Sequence, residues 1–203
     1  MVWSDECSFE LGKGGTEWVT RTQGECFCLD CIQFRFRSGS SKVMIWGAIG
    51  YGWKSDLVFL EGHGPRGGVT IEDYRQQVLE PIVEPSIRGI REWGEEPLFM
   101  EDGATVHGNS GKGKLRCWKL ENGIVSMSWP PSSPDFNPIE KVWRILKQRI
   151  KHRDRMPRTM EELKKAICDE WDRLDPREWD QYIESMPDRM KEGCKRHGLQ
   201  TQY

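Results

Sequence analysis

Between Trp3 and Leu11 the chain alternates with a period of two. Trp3, Asp5, Cys7, Phe9 and Leu11 share one face, and Ser4, Glu6, Ser8 and Glu10 share the other. This pattern predicts a half-buried β-strand and places a single carboxylate, Asp5, in an otherwise apolar row. A buried carboxylate is costly unless a cation, a hydrogen-bond donor or a metal compensates it. The other reading is a flipped or edge-exposed face with Asp5 in water. The strand alone leaves both open.

Further strands are expected at Glu17–Arg21, at Lys42–Ile49 with its apolar Val43, Met44, Ile45 and Trp46, and at Leu57–Leu60. The stretch His63-Gly-Pro-Arg-Gly-Gly68 reads as a loop. Thr70 and Asp73 then form a capping-box pattern that opens a helix, with Ile71, Tyr74, Val78 and Ile82 at helical spacing. Pro81 and Pro85 predict a break or kink in it. A buried-type strand at Pro97–Met100, a helix over Lys114–Leu120 and a strand over Ile124–Trp129 follow. One helix begins at Pro138, and two more cover Met160–Leu174 and Arg177–Lys195. This order predicts a mixed α/β sheet covered by helices. At 203 residues the chain suits one domain, or one domain with a small appendage.

Composition removes several classes. Ten tryptophans and 36% hydrophobic residues argue against a disordered chain. No apolar run approaches the ~18 residues of a membrane span. The first ten residues hold Asp5, Glu6 and Glu10 but no basic residue, so they do not read as a secretory signal. Seven cysteines, an odd number scattered along the chain, suggest a reducing compartment rather than a disulfide framework. Cys26-Phe-Cys28-Leu-Asp-Cys31 is too tightly spaced for a structural zinc site and has no fourth ligand nearby, so ordinary loop cysteines are expected. The net charge of −2 excludes a uniformly basic nucleic-acid coat. It hides an asymmetry, however. Residues 141–158 carry eight basic residues against Asp154 alone, a net of +7, which leaves −9 for the remainder. Such a segment reads either as an anion-facing surface or as a solvated helix face.

Two more acids stand out. Asp102 leaves the carboxyl end of the apolar run Leu98–Met100, where α/β sheets commonly place ligand groups. It also precedes Gly103, as an ordinary turn aspartate would. Glu140 follows Asn137-Pro-Ile and fits the N3 position of a capping box, or an ion pair with Arg144 one turn on. In the same helix Ile139, Val142, Trp143, Leu146 and Ile150 form one apolar stripe, while Glu140 heads a flank of Arg144, Lys147 and Lys151. A carboxylate heading a row of cations suits a metal ligand beside phosphates as well as it suits a cap. Taken together, three carboxylates are what Mg²⁺ or Mn²⁺ requires when substrate oxygens complete the shell.

Four blocks carry a resemblance. Val2-Trp-Ser-Asp5-Glu-Cys-Ser-Phe9, Val43-Met-Ile-Trp-Gly-Ala-Ile49 and Phe99-Met-Glu-Asp102-Gly-Ala-Thr-Val-His107 come in that order, followed by Trp129-Pro-Pro-Ser-Ser-Pro-Asp-Phe-Asn-Pro-Ile-Glu140-Lys-Val-Trp143. Together they resemble the catalytic domain of mariner-superfamily DDE transposases over roughly residues 1–175. The resemblance implies an RNase H-like fold, a mixed five-stranded sheet flanked by helices, with residues 176–203 as a C-terminal helical extension. It implies Asp5, Asp102 and Glu140 as catalytic, metal-binding acids holding two Mg²⁺ or Mn²⁺ ions, with Arg144, Lys147 and Lys151 on DNA. His107 matches a histidine usual after the second aspartate; substrate positioning and plain packing are equally open roles for it.

The implied activity is DNA cleavage and strand transfer, in which water or a DNA 3′-hydroxyl attacks a phosphodiester. The alternative is a catalytically inactive, transposon-derived DNA-binding or protein-interaction module. DNA as partner, a homodimer and a nuclear or nucleocytoplasmic location follow from the same resemblance. Two departures from the family pattern are visible. Between Asp102 and Glu140 lie 37 residues, a few more than usual, and the glycine-rich 108–114 segment is expected to absorb the excess. The chain also starts at the first catalytic strand, so no N-terminal helix-turn-helix domain is expected in it.

Overall fold

The computed structural model describes residues 1–11, 42–108, 113–127, 129, 133 and 136–195. The expected strand at 17–21 and the cysteines 26, 28 and 31 lie outside them. Strand β1 (Val2–Glu10) pairs antiparallel with β2 (Lys42–Gly50), setting Asp5 opposite Gly47. On its other edge β1 pairs in parallel with β5 (Leu98–Met100), which in turn pairs in parallel with β6 (Val125–Met127). The outer edge of β2 receives β3 (Trp53–Lys54) and then β4 (Val58–Leu60), both antiparallel. These two act as one interrupted strand, so the sheet is five positions wide but six strands in count. Ser55 causes the interruption: its Oγ accepts from the Ala48 amide at 2.8 Å and takes the place of a backbone ladder bond.

Helices cover both faces. On one side lies the run α1 (Ile71–Tyr74), a π-helical stretch over Arg75–Val83, and α2 (Glu84–Glu92). Tyr74, Val78, Leu79, Val83 and Ile87 pack there against Val2, Trp46, Ala48 and Phe99 of the sheet. The Thr70–Asp73 capping box forms with both reciprocal bonds. The expected break at Pro81 is instead a widening. Proline offers no N–H to the helical ladder, and the backbone passes into i→i+5 bonding, with the Glu84 amide donating to Leu79 oxygen.

The other side carries α4 (Ile139–Lys151), α5 (Met160–Arg173), α6 (Arg177–Glu184) and α7 (Met186–Lys195); α3 (Lys114–Glu121) precedes β6. The α4 stripe expected from sequence is buried as a unit against Trp3, Cys7 and Phe9. Gly47 makes that approach close. A Cβ there would lie 2.9 Å from the Trp143 ring. The single helix expected over Arg177–Lys195 is divided at Ser185, where Pro187 follows and removes the next amide donor. Trp179 of α6 is fully buried in the α4–α5 core and donates to Gly50 oxygen at 3.1 Å.

Because β1 is central, its second face is not the solvent face that alternation alone suggests. Ser4 is buried there, and its Oγ donates to Met100 oxygen at 2.8 Å. The Ser4 carbonyl accepts from Asn137 Nδ2 at 3.0 Å. One residue thus ties β1 to β5 and to the entry of α4. No helix among the described residues is long and apolar enough to cross a membrane.

Candidate active site

Asp5 projects from mid-β1 toward the α4 side, half-buried among Trp3, Cys7 and the α4 stripe. Its carboxyl is pushed up to about 8, first by burial, then by the charges of Glu140, Glu6 and Asp102. Glu140 and Asp102 therefore lie within electrostatic reach of Asp5. Among the described residues Asp5 has no ion pair.

Glu140 occupies the first turn of α4. Neither structural role open to it in the sequence is realised. Its side chain makes no bond back to the Asn137 amide and no ion pair with Arg144; Asn137 spends its side-chain amide on Ser4 instead. The Glu140 carboxylate is left facing Asp5.

Asp102 sits in the turn after β5, its side chain 53% exposed. It does act as a turn aspartate, accepting from the Ala104 amide at 2.9 Å. It also meets His107 Nδ1 at 2.8 Å, and that bond holds its carboxyl below the usual range. His107 itself is buried, with Nε2 3.1 Å from Glu6 Oε1. Burial would push this imidazole down, but the carboxylates of Asp102 and Glu6 outweigh it and hold it at about 10. Both ring nitrogens are thus engaged inside the protein.

Glu6 was not singled out from sequence, because alternation put it on the face assigned to water. Its proximity to Asp5 in the chain was the only available signal. Behind the site Glu101 is fully buried. It pairs with Lys119 and accepts from the Tyr74 hydroxyl at 3.2 Å and the Ser126 hydroxyl at 3.0 Å. Lys119 also donates to His107 oxygen at 2.7 Å.

The basic segment divides in two. Arg149 pairs with Glu178, Arg153 with Asp169 and Glu170, and Arg155 with Glu162, all facing the C-terminal helices. Arg144, Lys147 and Lys151 stay exposed on the flank headed by Glu140, without an acidic partner among the described residues. Lys147 lies over the Phe9 ring at 5.6 Å, beside the apolar end of β1.

Among the described residues no three His, Cys, Asp or Glu side chains are grouped closely enough to hold a metal ion. The donor set nevertheless suits a hard dication. It consists of carboxylate oxygens, and the repulsion that raises the Asp5 carboxyl is what such an ion would relieve.

One acid thus lies on the central strand, another after the neighbouring parallel strand and a third on a covering helix. Residues 1–164 match the DDE superfamily endonuclease family, and the chain belongs to it. Along its whole length it is 29% identical to the Tc3 transposable-element transposase of Caenorhabditis elegans, covering 58% of that protein. It is 26% identical to the Tcb1 transposase of Caenorhabditis briggsae, covering 70% of it. The chain thus spans less than two thirds of the length of Tc3 transposase. Among solved structures, the Mos1 mariner paired end complex with Mn superposes with a TM-score of 0.73 at 17% identity, over 99% of this chain and 56% of that one. The Mos1 transposase catalytic domain with raltegravir and Mn gives 0.68 at 15% identity, over 99% and 84%. The fold is therefore the RNase H-like fold of the Mos1 catalytic domain.

Proposed function

We propose that this chain cleaves and joins DNA phosphodiesters with a divalent metal, using Asp5, Asp102 and Glu140 as ligands. The observation that carries the reading is Asp5: a carboxyl half-buried in the sheet and raised to about 8, with Glu140, Glu6 and Asp102 around it and no ion-pair partner among the described residues. Structural ion pairs are not built this way; sites awaiting a cation are. When bound, Mg²⁺ or Mn²⁺, as one ion or two, would activate the attacking hydroxyl and steady the leaving oxygen. The chain's own residues do the rest. Arg144, Lys147 and Lys151 hold the phosphate backbone along α4, and Trp3, Cys7 and Trp143 keep bulk water from the inner side of Asp5. Mn accompanies Mos1 transposase in both structures above, and one of them is a paired end complex. A DNA partner, a homodimer and a nuclear location are proposed here on that basis, with 1–175 as the catalytic domain and 176–203 as its helical extension.

The test is incubation of the chain with supercoiled DNA and Mn²⁺ beside an Asp102→Asn variant. Nicking by the native chain and none by the variant is the expected outcome; equal nicking by both overturns the assignment. Binding should be sequence-tolerant and steeply salt-dependent, because each phosphate contact releases counterions. Replacing Arg144, Lys147 and Lys151 together should flatten the salt slope by about three contacts' worth, ~0.9 per contact, in a filter-binding titration. A second reading, DNA binding without cleavage, is favoured by one observation: among the described residues no three acids are grouped closely enough to hold a metal ion. DNA binding by a native chain that never nicks would support it.

A further inference from the structure

Asp5 and Glu6 are consecutive on β1 and so point to opposite faces of the sheet. Asp5 faces α4. Glu6 faces the turn Thr105–His107, where its Oε1 meets His107 Nε2 at 3.1 Å. The other ring nitrogen meets Asp102 Oδ1 at 2.8 Å and Asp102 oxygen at 3.1 Å. The ring is 2% exposed and packs on Tyr74, centroids 4.6 Å apart. Lys119 fixes the turn from below through the His107 carbonyl. The imidazole thus cannot rotate without losing both carboxylates, and the Asp102 side chain, half in solvent, is held by this ring and by the Ala104 amide.

We infer that Glu6 and His107 form a positioning pair, in which Glu6 fixes the His107 ring and the ring fixes the direction of the Asp102 carboxylate. The pair rests on the proposed role of Asp102 as a metal ligand and adds a residue, Glu6, that touches neither metal nor substrate. Its physical logic is that of a carboxylate–histidine support behind a ligand, applied to an oxygen ligand. A ligand pre-set in one direction loses less rotamer freedom on binding. Supports of this kind typically account for ~10–100-fold in metal affinity.

The experiment follows the rise in melting temperature of the full chain during Mn²⁺ titration, with metal-free melts of each variant as the stability control. Glu6→Ala removes the acceptor and should raise the Mn²⁺ concentration needed for half the shift by about tenfold or more. Glu6→Gln keeps an acceptor for Nε2 without the charge, and should stay within about threefold of the native chain. If glutamine fails as badly as alanine, Glu6 acts by charge and the positioning role is overturned. Native behaviour of Glu6→Ala, while Asp5→Asn loses the Mn²⁺ response, overturns the pair and leaves the proposed metal site standing. Retention of the response by Asp5→Asn overturns both. Should Glu6→Ala melt too low to titrate, His107→Gln serves in its place. It keeps a donor toward Glu6 but none toward Asp102, so the same loss is expected, and an unchanged titration refutes the pair.

Discussion

Glu101 and Asp5 are both carboxylates inside the protein, Asp5 on β1 and Glu101 just after the neighbouring β5, yet their surroundings are opposite. Glu101 is sealed, with Lys119 as counter-charge and two hydroxyls donating to it. Asp5 is half-buried, and its nearest influences are other acids. The difference teaches that burial of a carboxylate does not by itself mark a site. What marks it is burial left uncompensated.

The largest effect is expected on the sealed side. Lys119→Met strands Glu101 without its cation and should cost about 3–5 kcal/mol in urea unfolding. Adding Glu101→Gln, which still accepts from Tyr74 and Ser126, should recover much of that loss. A Lys119→Met variant as stable as the native chain would erase the distinction between the two acids.

Asp5→Asn should act in the opposite direction in metal-free buffer. The folded-state value of about 8 lies above the ordinary 3.8, so folding takes up a proton between those limits. The stabilising contribution is full below about pH 4 and is lost as pH rises through about 8. Unfolding at pH 5 and pH 8.5 should show this decline in the native chain and a flatter profile in Asp5→Asn. A steeper profile in the variant would place the titrating group elsewhere. The smallest effect belongs to Glu140→Gln, which breaks no bond and should leave metal-free stability within ~1 kcal/mol, while removing any stabilisation by Mn²⁺.

Much of this contrast was legible in the sequence, though unevenly. The α4 stripe, the Thr70 cap and the β1 alternation are local patterns, and each predicted its element because the signal repeats within a few residues. Asp5 was visible for the same reason, as the one polar residue in an apolar row. Glu6 and Ser4 were not. Their face is covered by a turn and a strand from about a hundred residues on, and periodicity within β1 carries no trace of what lies across it. The pairing of Lys119 with Glu101 left no trace in the sequence, because only the fold brings the two together. The +7 segment could be counted but not divided, since which arginines pair depends on where α5 and α6 dock.

Ser4 has a further consequence, for the order in which the protein assembles. Its two bonds join residues 96 and 133 positions away, to Met100 and Asn137. Closing such separations is entropically slow compared with forming a hairpin or a helix turn. The three acids ride on the elements that these bonds join, so their relative placement is tied to long-range contacts of the topology. During synthesis β1 must wait for α4 to emerge before Asp5 meets Glu140. A nascent or truncated chain lacking α4 would carry Asp5 without Glu140, and Mn²⁺ uptake at the proposed site would serve as a clock for the final stage of folding.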